Sequence, residues 1–319
     1  MKLAIVILNW NGKNDTLACL QSLPKDQWIV VVDNGSTDDS VEAIQKQFPE
    51  VTLLMTGKNL GYAGGNNVGI KHVLNEGADL VLLLNNDTIV DQECIPALLE
   101  AARISPQTAI FGAYPLRMSD STKLDHLGGI WDHSTATFKL VGLKASDGFQ
   151  TNEALDYVCG CSILIRRSVF EKIGHLEEKF FLFWEEADFC RRAKKAGFGI
   201  DICYAARLYH KVSASFIGGS VHKTYFWWRG RFLWIERNCS PQERKDLFRK
   251  ILFPEIRHLF KLRCIKGIEL AILKFLRKSN LSQKESKLLQ YRSAIQGYSD
   301  YKNNKFGNFP SWILNNNKK

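Results

Sequence analysis

Leu80-Val81-Leu82-Leu83-Leu84-Asn85-Asn86-Asp87 is an apolar run that stops abruptly on three polar residues. A short unbroken aliphatic run reads as a strand buried on both faces, and such strands belong to parallel sheets. Leu3–Leu8, Trp28–Val32 and Val51–Met55 are earlier runs of the same kind. Between the four, Asp15–Leu23, Asp38–Phe48 and Ala63–Asn75 carry helical patterns, with Thr37 or Asp38 placed to cap the second. This alternation predicts an α/β fold, a Rossmann-like mostly parallel sheet flanked by helices. Ligands of such sheets sit beyond the carboxyl ends of the strands. Those ends are Asn9–Asn11, Asp33–Ser36, Gly57–Gly65 and Asn85–Asp87, all polar or glycine-rich, and they should share one rim.

Downstream the pattern changes. Residues 109–165 are irregular and β-rich, and Tyr157–Ile165 reads as one strand leading into a helix over Ser168–Ile173. Glu186–Ala196 reads as a helix ended by Gly197, and residues 222–237 as an aromatic helix carrying Arg229 and Arg231. The chain has 319 residues and a formal charge of +10. Residues 240–319 hold 18 basic and 6 acidic side chains, residues 1–239 hold 25 and 27. The expected division is therefore a first domain over 1–239 and a basic helical extension over 240–319. A near-neutral first domain argues against nucleic acid as the partner. There is no secretory signal and no run of about 18 apolar residues, the length that spanning a bilayer requires. The eight cysteines form no CxxC pair, so they are expected reduced in a cytoplasmic protein.

Each rim segment has a chemical reading beside an ordinary one. Asp33 can accept the N3–H of uracil or thymine; the ordinary reading is a turn and helix cap. Asn59-Leu60-Gly61-Tyr62-Ala63-Gly64-Gly65-Asn66-Asn67 lets backbone approach a ligand and opens a helix whose N-terminus favours phosphate. It matches neither GxGxxG nor a P-loop, and otherwise is a flexible helix entry. Asn85-Asn86-Asp87 is a degenerate DxD, whose oxygens suit Mg²⁺ or Mn²⁺ on a diphosphate. With one true carboxylate it needs another ligand, and His210 is the candidate; a lone His is more often structural. Glu185, Glu186 and Asp188 crowd the start of a helix beside Trp184, where burial suits a raised pKa and a general base. Acids are also common in a first turn for dipole reasons, and Asp188 can simply pair with Arg191 or Arg192.

As a set, VILNWNG at 6–12, VVDNGSTD at 31–38, NLGYAGGNN at 59–67, LLNND at 83–87, VCGCSILIRRSVFEKIG at 158–174, FWEEADFCRRAKKAGF at 183–198 and His210 resemble family 2 glycosyltransferases of GT-A fold, nearest to bacterial rhamnosyltransferases and galactofuranosyltransferases. The resemblance covers about residues 1–240. It implies inverting transfer from a UDP- or dTDP-sugar to a hydroxyl of a cell-envelope glycan or lipid-linked acceptor, with Mn²⁺ or Mg²⁺. By position in the motifs, Asn9, Asn11 and Asp33 match base-binding residues. Asn59, Gly61, Gly64, Gly65 and Asn67 match the nucleotide-sugar loop, with Asn85 and Asn86 beside it. Asp87 and His210 match metal ligands. Glu186 matches the catalytic base, and Trp184, Glu185 and Asp188 the acceptor side. Two departures stand out: Asn85 replaces the first DxD acid, and the base position holds Glu rather than Asp.

A sugar-phosphate nucleotidyltransferase should carry an activating Lys or Arg in a Gly-rich loop near the N-terminus, and Asn9–Lys13 has none. A non-catalytic nucleotide-sugar-binding relative should have lost the acids. In the extension, Ile265, Ile268, Ile272, Phe275 and Leu276 form one helical stripe flanked by Lys266, Lys274, Arg277 and Lys278. That is either an interfacial helix on the inner face of an anionic cytoplasmic membrane or a helix packed on the catalytic domain.

Overall fold

A computed structural model describes residues 1–211, 220–276 and 281–315. Its elements in chain order are β1 (Leu3–Asn9), α1 (Lys13–Ser22), β2 (Trp28–Asp33), α2 (Ser40–Gln47), β3 (Thr52–Met55), α3 (Gly61–Asn75), β4 (Leu80–Asn85), β5 (Thr88–Val90), α4 (Cys94–Ile104), β6 (Thr108–Arg117) and β7 (Asp120–Leu124). There follow β8 (Gly128–Asp132), β9 (Thr137–Val141), β10 (Tyr157–Val158), β11 (Ser162–Arg166), α5 (Arg167–Ile173), α6 (Glu185–Lys195) and β12 (Gly199–His210). The remainder is helical: α7 (Ser220–Asn238), α8 (Pro241–Leu247), a π-helical turn over Phe248–Leu252, α9 (Phe253–Phe275), α10 (Ser282–Lys302) and α11 (Trp312–Asn315).

The described residues form two compact units. The first comprises Met1–Trp131, Phe138–Glu178 and Glu185–Ser215; the second Asp132–Thr137, Lys179–Trp184 and Phe216–Lys319.

The first unit is built on a sheet of order β3-β2-β1-β4-β11-β6-β12-β5, with β7 paired to β6. β1 to β4 are mutually parallel, as the aliphatic runs require. The remainder is mixed. β11 runs antiparallel to both β4 and β6, β12 is parallel to β6, and β5 is antiparallel to β12. The expected single strand over Tyr157–Ile165 is two strands, because Cys159-Gly160-Cys161 leaves the small β10-β8-β9 sheet and enters the large one. The cap of α2 also differs. Asn11 Oδ1 takes the Thr37 and Asp38 backbone N–H groups, and the helix starts at Ser40, two residues later than expected, after Asp39.

One sheet face buries Ile5, Ile7, Val31, Leu82 and Leu84 under Cys19 and Leu20 of α1 and Ile95 and Leu98 of α4. Each such aliphatic side chain contributes about 1.5–3 kcal/mol relative to exposure. Because β1, β2 and β3 run to one side and β4 lies on the other flank of β1, the strand order reverses between β1 and β4. Asn9, Asp33 and Asn85 are the last residues of β1, β2 and β4, so polar chemistry collects at that crevice.

In the second unit α7 carries two fully buried arginines. Arg231 donates to the carbonyls of Thr135 and Ala136 and pairs with Glu255 of α9 at 2.6 Å. Arg229 lies over the rings of Tyr225 and Phe226. α8 opens with a reciprocal Ser240–Glu243 capping box and Pro241 in the first turn. Of the flanking cations read from the sequence, Arg277 and Lys278 lie outside the described residues, as does the tail beyond 315.

Gly35 in the β2–α2 turn has φ +73°, and a Cβ there would lie 2.6 Å from Lys58 Cα. Gly35→Ala should destabilise the fold by about 1–3 kcal/mol from the left-handed backbone alone. Urea unfolding of the variant should show a lower midpoint with the slope unchanged.

Candidate active site

A chain of buried side-chain hydrogen bonds laces the strand ends together. Asn9 Nδ2 donates to Asp33 Oδ2 at 2.8 Å and to Ser36 Oγ at 3.1 Å. Asn9 Oδ1 accepts from Thr16 Oγ1 at 2.8 Å, and Thr16 Oγ1 accepts from Asn86 Nδ2 at 2.9 Å. The Ser36 backbone N–H donates to Asp33 Oδ1 at 3.0 Å. The ends of β1, β2 and β4 are thus held at one level. Both Asp33 oxygens already accept within the protein, which leaves remaining lone pairs for a ligand donor. Asn11, at φ +49°, takes the Ser36 hydroxyl as acceptor for its own N–H.

Asn34 was not singled out from the sequence, yet it organises the glycine-rich loop. Its Nδ2 donates to Asn59 Oδ1 and to the Gly61 carbonyl, and its Oδ1 accepts from the Leu60 N–H. Asn59 Oδ1 also accepts from the Gly61 N–H at 2.8 Å. Gly64 and Gly65 are buried; a Cβ on Gly65 would meet Leu8 Cδ1 at 2.4 Å, so close approach of α3 to β1 requires glycine there. Asn67 is turned elsewhere. Its amide exchanges hydrogen bonds with the Leu176 backbone and donates to Glu178.

His210 ends β12, and the antiparallel β12–β5 register sets it opposite Thr88, next to Asp87. His210 Nε2 lies 3.3 Å from Asp87 Oδ1, in ion-pair reach but without hydrogen-bond alignment, so that buried oxygen has no hydrogen-bond partner. Asn85 Oδ1 is likewise buried and unpartnered. His210 Nδ1 lies 2.9 Å from Asp125 Oδ2. Burial alone would lower the His210 pKa, but the carboxylates of Asp125 and Asp87 outweigh it and push the imidazole up to about 10. Asp125 is brought in by the β6–β7 hairpin, its N–H on the Pro115 carbonyl. No motif marks it.

The buried turn between β10 and β11 faces the same cluster. Cys159 Sγ is 3.6 Å from His126 Nε2 and 3.5 Å from Cys161 Sγ. The ligand-type atoms of Asp125, His126 and Cys159 all lie within 4.8 Å of one another. The Cys161 thiol and the His126 ring stabilise the Cys159 thiolate against burial, holding its pKa well below the usual thiol range. Cys159 in turn acts on both Glu186 and His210, which ties the two halves of the site.

Glu185 and Glu186 open α6, each with its Oε2 buried and unpartnered. Burial pushes Glu186 up to about 7; neighbouring backbone N–H groups oppose that rise and Cys159 adds to it. Burial, then Glu186, holds Glu185 well above the carboxylate range. Both act on Tyr62, whose hydroxyl donates to the Gly160 carbonyl at 2.9 Å. Glu186 is flanked by Gly160, where a Cβ would stand 3.5 Å from its Cγ. Asp188 does not join this pair. It is fully buried, with its Oδ2 on Arg192 Nε at 2.8 Å. Trp184 belongs to the second unit, buried beside Trp227 and Trp234 and over Gly230.

A sheet with a polar rim at the β1/β4 reversal, an acid with a histidine on it, and a carboxylate pair at the head of a following helix is the arrangement of a GT-A glycosyltransferase. The family model for Glycosyl transferase family 2 matches residues 4–174, and the chain belongs to that family. It is 29% identical over 241 residues to the low-salt glycan biosynthesis hexosyltransferase Agl10 of Haloferax volcanii, covering 72% of this chain and 74% of that one. It is 28% identical over 274 residues to the N-acetylglucosaminyl-diphospho-decaprenol L-rhamnosyltransferase of Mycobacterium tuberculosis, covering 73% and 87%. Among solved structures, the mannosyltransferase PcManGT of Pyrobaculum calidifontis, in complex with GDP-Man and Mn²⁺, superposes with a TM-score of 0.55 at 14% identity over 95% of this chain and 88% of that one. That likeness carries the fold.

The nitrogen donor at His210 and the buried, unpartnered oxygen of Asp87 fit a hard divalent cation such as Mn²⁺ or Mg²⁺. Asp87→Ala should abolish Mn²⁺ binding in calorimetry. Asp125→Asn, which leaves the ring a neutral partner, should weaken it about 10–100-fold, the usual cost of losing the carboxylate behind a ligating histidine.

Proposed function

We propose that this protein is an inverting glycosyltransferase that moves a sugar from a UDP- or dTDP-sugar to a hydroxyl of a cell-envelope glycan or lipid-linked acceptor. The observation that carries the reading is the half-buried Glu186 carboxylate, pushed to about 7, in one cluster with the Asp87–His210 pair. A base with that pKa is ionised over much of its population at neutral pH yet still basic enough to accept a proton. The rhamnosyltransferase relative, whose name specifies a diphospho-lipid acceptor, supports the acceptor class.

Asp87 and His210 would hold the cation, with Asn85 at its edge. Such an ion neutralises the diphosphate as it departs. His210 stands between two carboxylates as an imidazolium and must shed that proton before Nε2 can ligate. Asp33, fixed by Asn9 and Ser36, presents an acceptor to the N3–H of a pyrimidine. Asn59 and Gly61, held by Asn34, bring the N-terminus of α3 to the donor side, where the helix dipole favours phosphate. Glu186 takes the acceptor hydroxyl proton as that oxygen attacks the anomeric carbon; the new glycosidic C–O bond forms on the face opposite the breaking bond to the nucleotide diphosphate. Glu185, kept neutral by burial, can donate rather than accept a hydrogen bond on the acceptor side.

Calorimetry with UDP, dTDP, GDP and ADP should rank a pyrimidine nucleotide first, with Asp33→Ala weakening it. Tightest binding of ADP would exclude the base assignment. Transfer or donor hydrolysis should rise with pH as Glu186 ionises and level off above about 7. Glu186→Gln should cost about 10²–10⁴ in rate with donor binding retained. A rate loss confined to Glu185→Gln would move the base by one residue.

A further inference from the structure

Within the second unit, α7, α8, the π-helical turn and α10 enclose a cleft of about 560 Å³ that plays no part in the chemistry above. Its floor is aromatic and aliphatic, with Phe232, Leu252, Tyr298 and Tyr301, and three cations, Arg244, Lys245 and Lys302, line it against one acid, Glu236. Glu236 is already engaged by the Tyr301 hydroxyl. Arg244 Nε is buried with no hydrogen-bond partner. A buried, unsatisfied guanidinium N–H beside two further cations is costly unless an acceptor reaches it, and its fork geometry suits phosphate. The π-turn supplies Phe248 and Leu252 to the same cleft, and π-turns concentrate at functional positions.

The π-helical turn that lines the cleft runs directly into α9, which packs on α10 along one side and leaves an apolar face exposed. On α9, Phe253, Phe260, Ile265, Ile268, Ile272 and Phe275 are exposed, Ile268 at 63% and Phe275 at 87%. Arg249, Lys250, Arg257, Lys261 and Arg263 accompany this apolar surface. Water leaves such a face costly, and its basic surroundings say what covers it: an apolar interior bordered by negative charge.

We propose that the second unit binds the surface of an anionic phospholipid bilayer, with the 560 Å³ cleft seating a lipid phosphate on Arg244 and Lys245 and α9 lying in the interface. The proposal deepens the lipid-linked acceptor reading, because it would hold the catalytic chain where such acceptors reside. It does not need that reading to be right.

The test is flotation of the full chain with vesicles of phosphatidylcholine, with and without phosphatidylglycerol, at low and high salt. Binding is expected only with phosphatidylglycerol and should fall with salt. Lys245→Gln and Arg244→Gln should each weaken it about fivefold, and Ile268→Ser with Ile272→Ser should release the protein. Twice that charge removed from the first unit, as Lys25→Gln with Lys46→Gln, should leave binding unchanged. Equal weakening by that pair would reduce the effect to bulk charge and overturn the cleft. Displacement from vesicles by inorganic phosphate at matched ionic strength would make it a site for free anions and overturn the lipid assignment. Absence of binding at low salt overturns the proposal outright. UDP and dTDP calorimetry on the unaltered chain separates the two readings: no nucleotide binding with intact flotation would fault the transferase reading alone.

Discussion

Everything at the rim depends on one buried hydrogen-bond chain, Asp33–Asn9–Thr16–Asn86. Parallel strands end in unpaired polar groups, and a buried carboxylate such as Asp33 is tolerable only with partners. Asn9 can donate to Asp33 and accept from Thr16 at once, so one amide joins β2 to α1 through β1. Thr16 then passes the connection to the residue before Asp87. The Asp33 side of the rim and the Asp87 side are therefore positioned by a single network, and neither end can shift without leaving a buried polar atom unsatisfied.

The acidic side is completed by strands that do not follow the parallel pattern. β11, reversed between β4 and β6, carries the Cys159-Gly160-Cys161 turn to the rim from the opposite direction. β12 runs beside β6 and finishes against β5, so residues far apart in sequence, Asp87 and His210, meet across one ladder. The β6–β7 hairpin returns Asp125 behind the imidazole. Asp125, hydrogen-bonded to Nδ1, orients the ring, and Asp87, within ion-pair reach of Nε2, adds to its charge.

The first four strands and three helices were legible because their periods are unambiguous: aliphatic runs of strand length, separated by helical patterns and ended by Asn, Asp and Gly. The reversal of β11 was not, since a buried antiparallel strand between two neighbours has the same aliphatic pattern as a parallel one. The site was legible where several segments converge on a family motif. Asn34, Thr16 and Asp125 escaped because single polar residues in turns and first helical turns are common, and their meaning lies in partners distant in sequence. Asp188 has the ordinary environment weighed for it, an ion pair with Arg192. The exposure of Ile265, Ile268 and Ile272 could not be read from their spacing, which is the same for a packed helix and an uncovered one.

The paired carboxylates at the head of α6 make the folded state itself sensitive to rising pH. An unfolded glutamate ionises near 4.5, whereas Glu186 in the fold holds its proton to about 7. Stability is therefore highest below the unfolded value and is lost as pH rises toward the folded one, because ionisation inside the protein is penalised and outside it is not. Glu185, shifted in the same direction by burial and by its neighbour, adds to the slope. In the proposed mechanism the proton that leaves Glu186 to create the base is also one that helps keep the chain folded, so activity at neutral pH draws on the conformational reserve of α6.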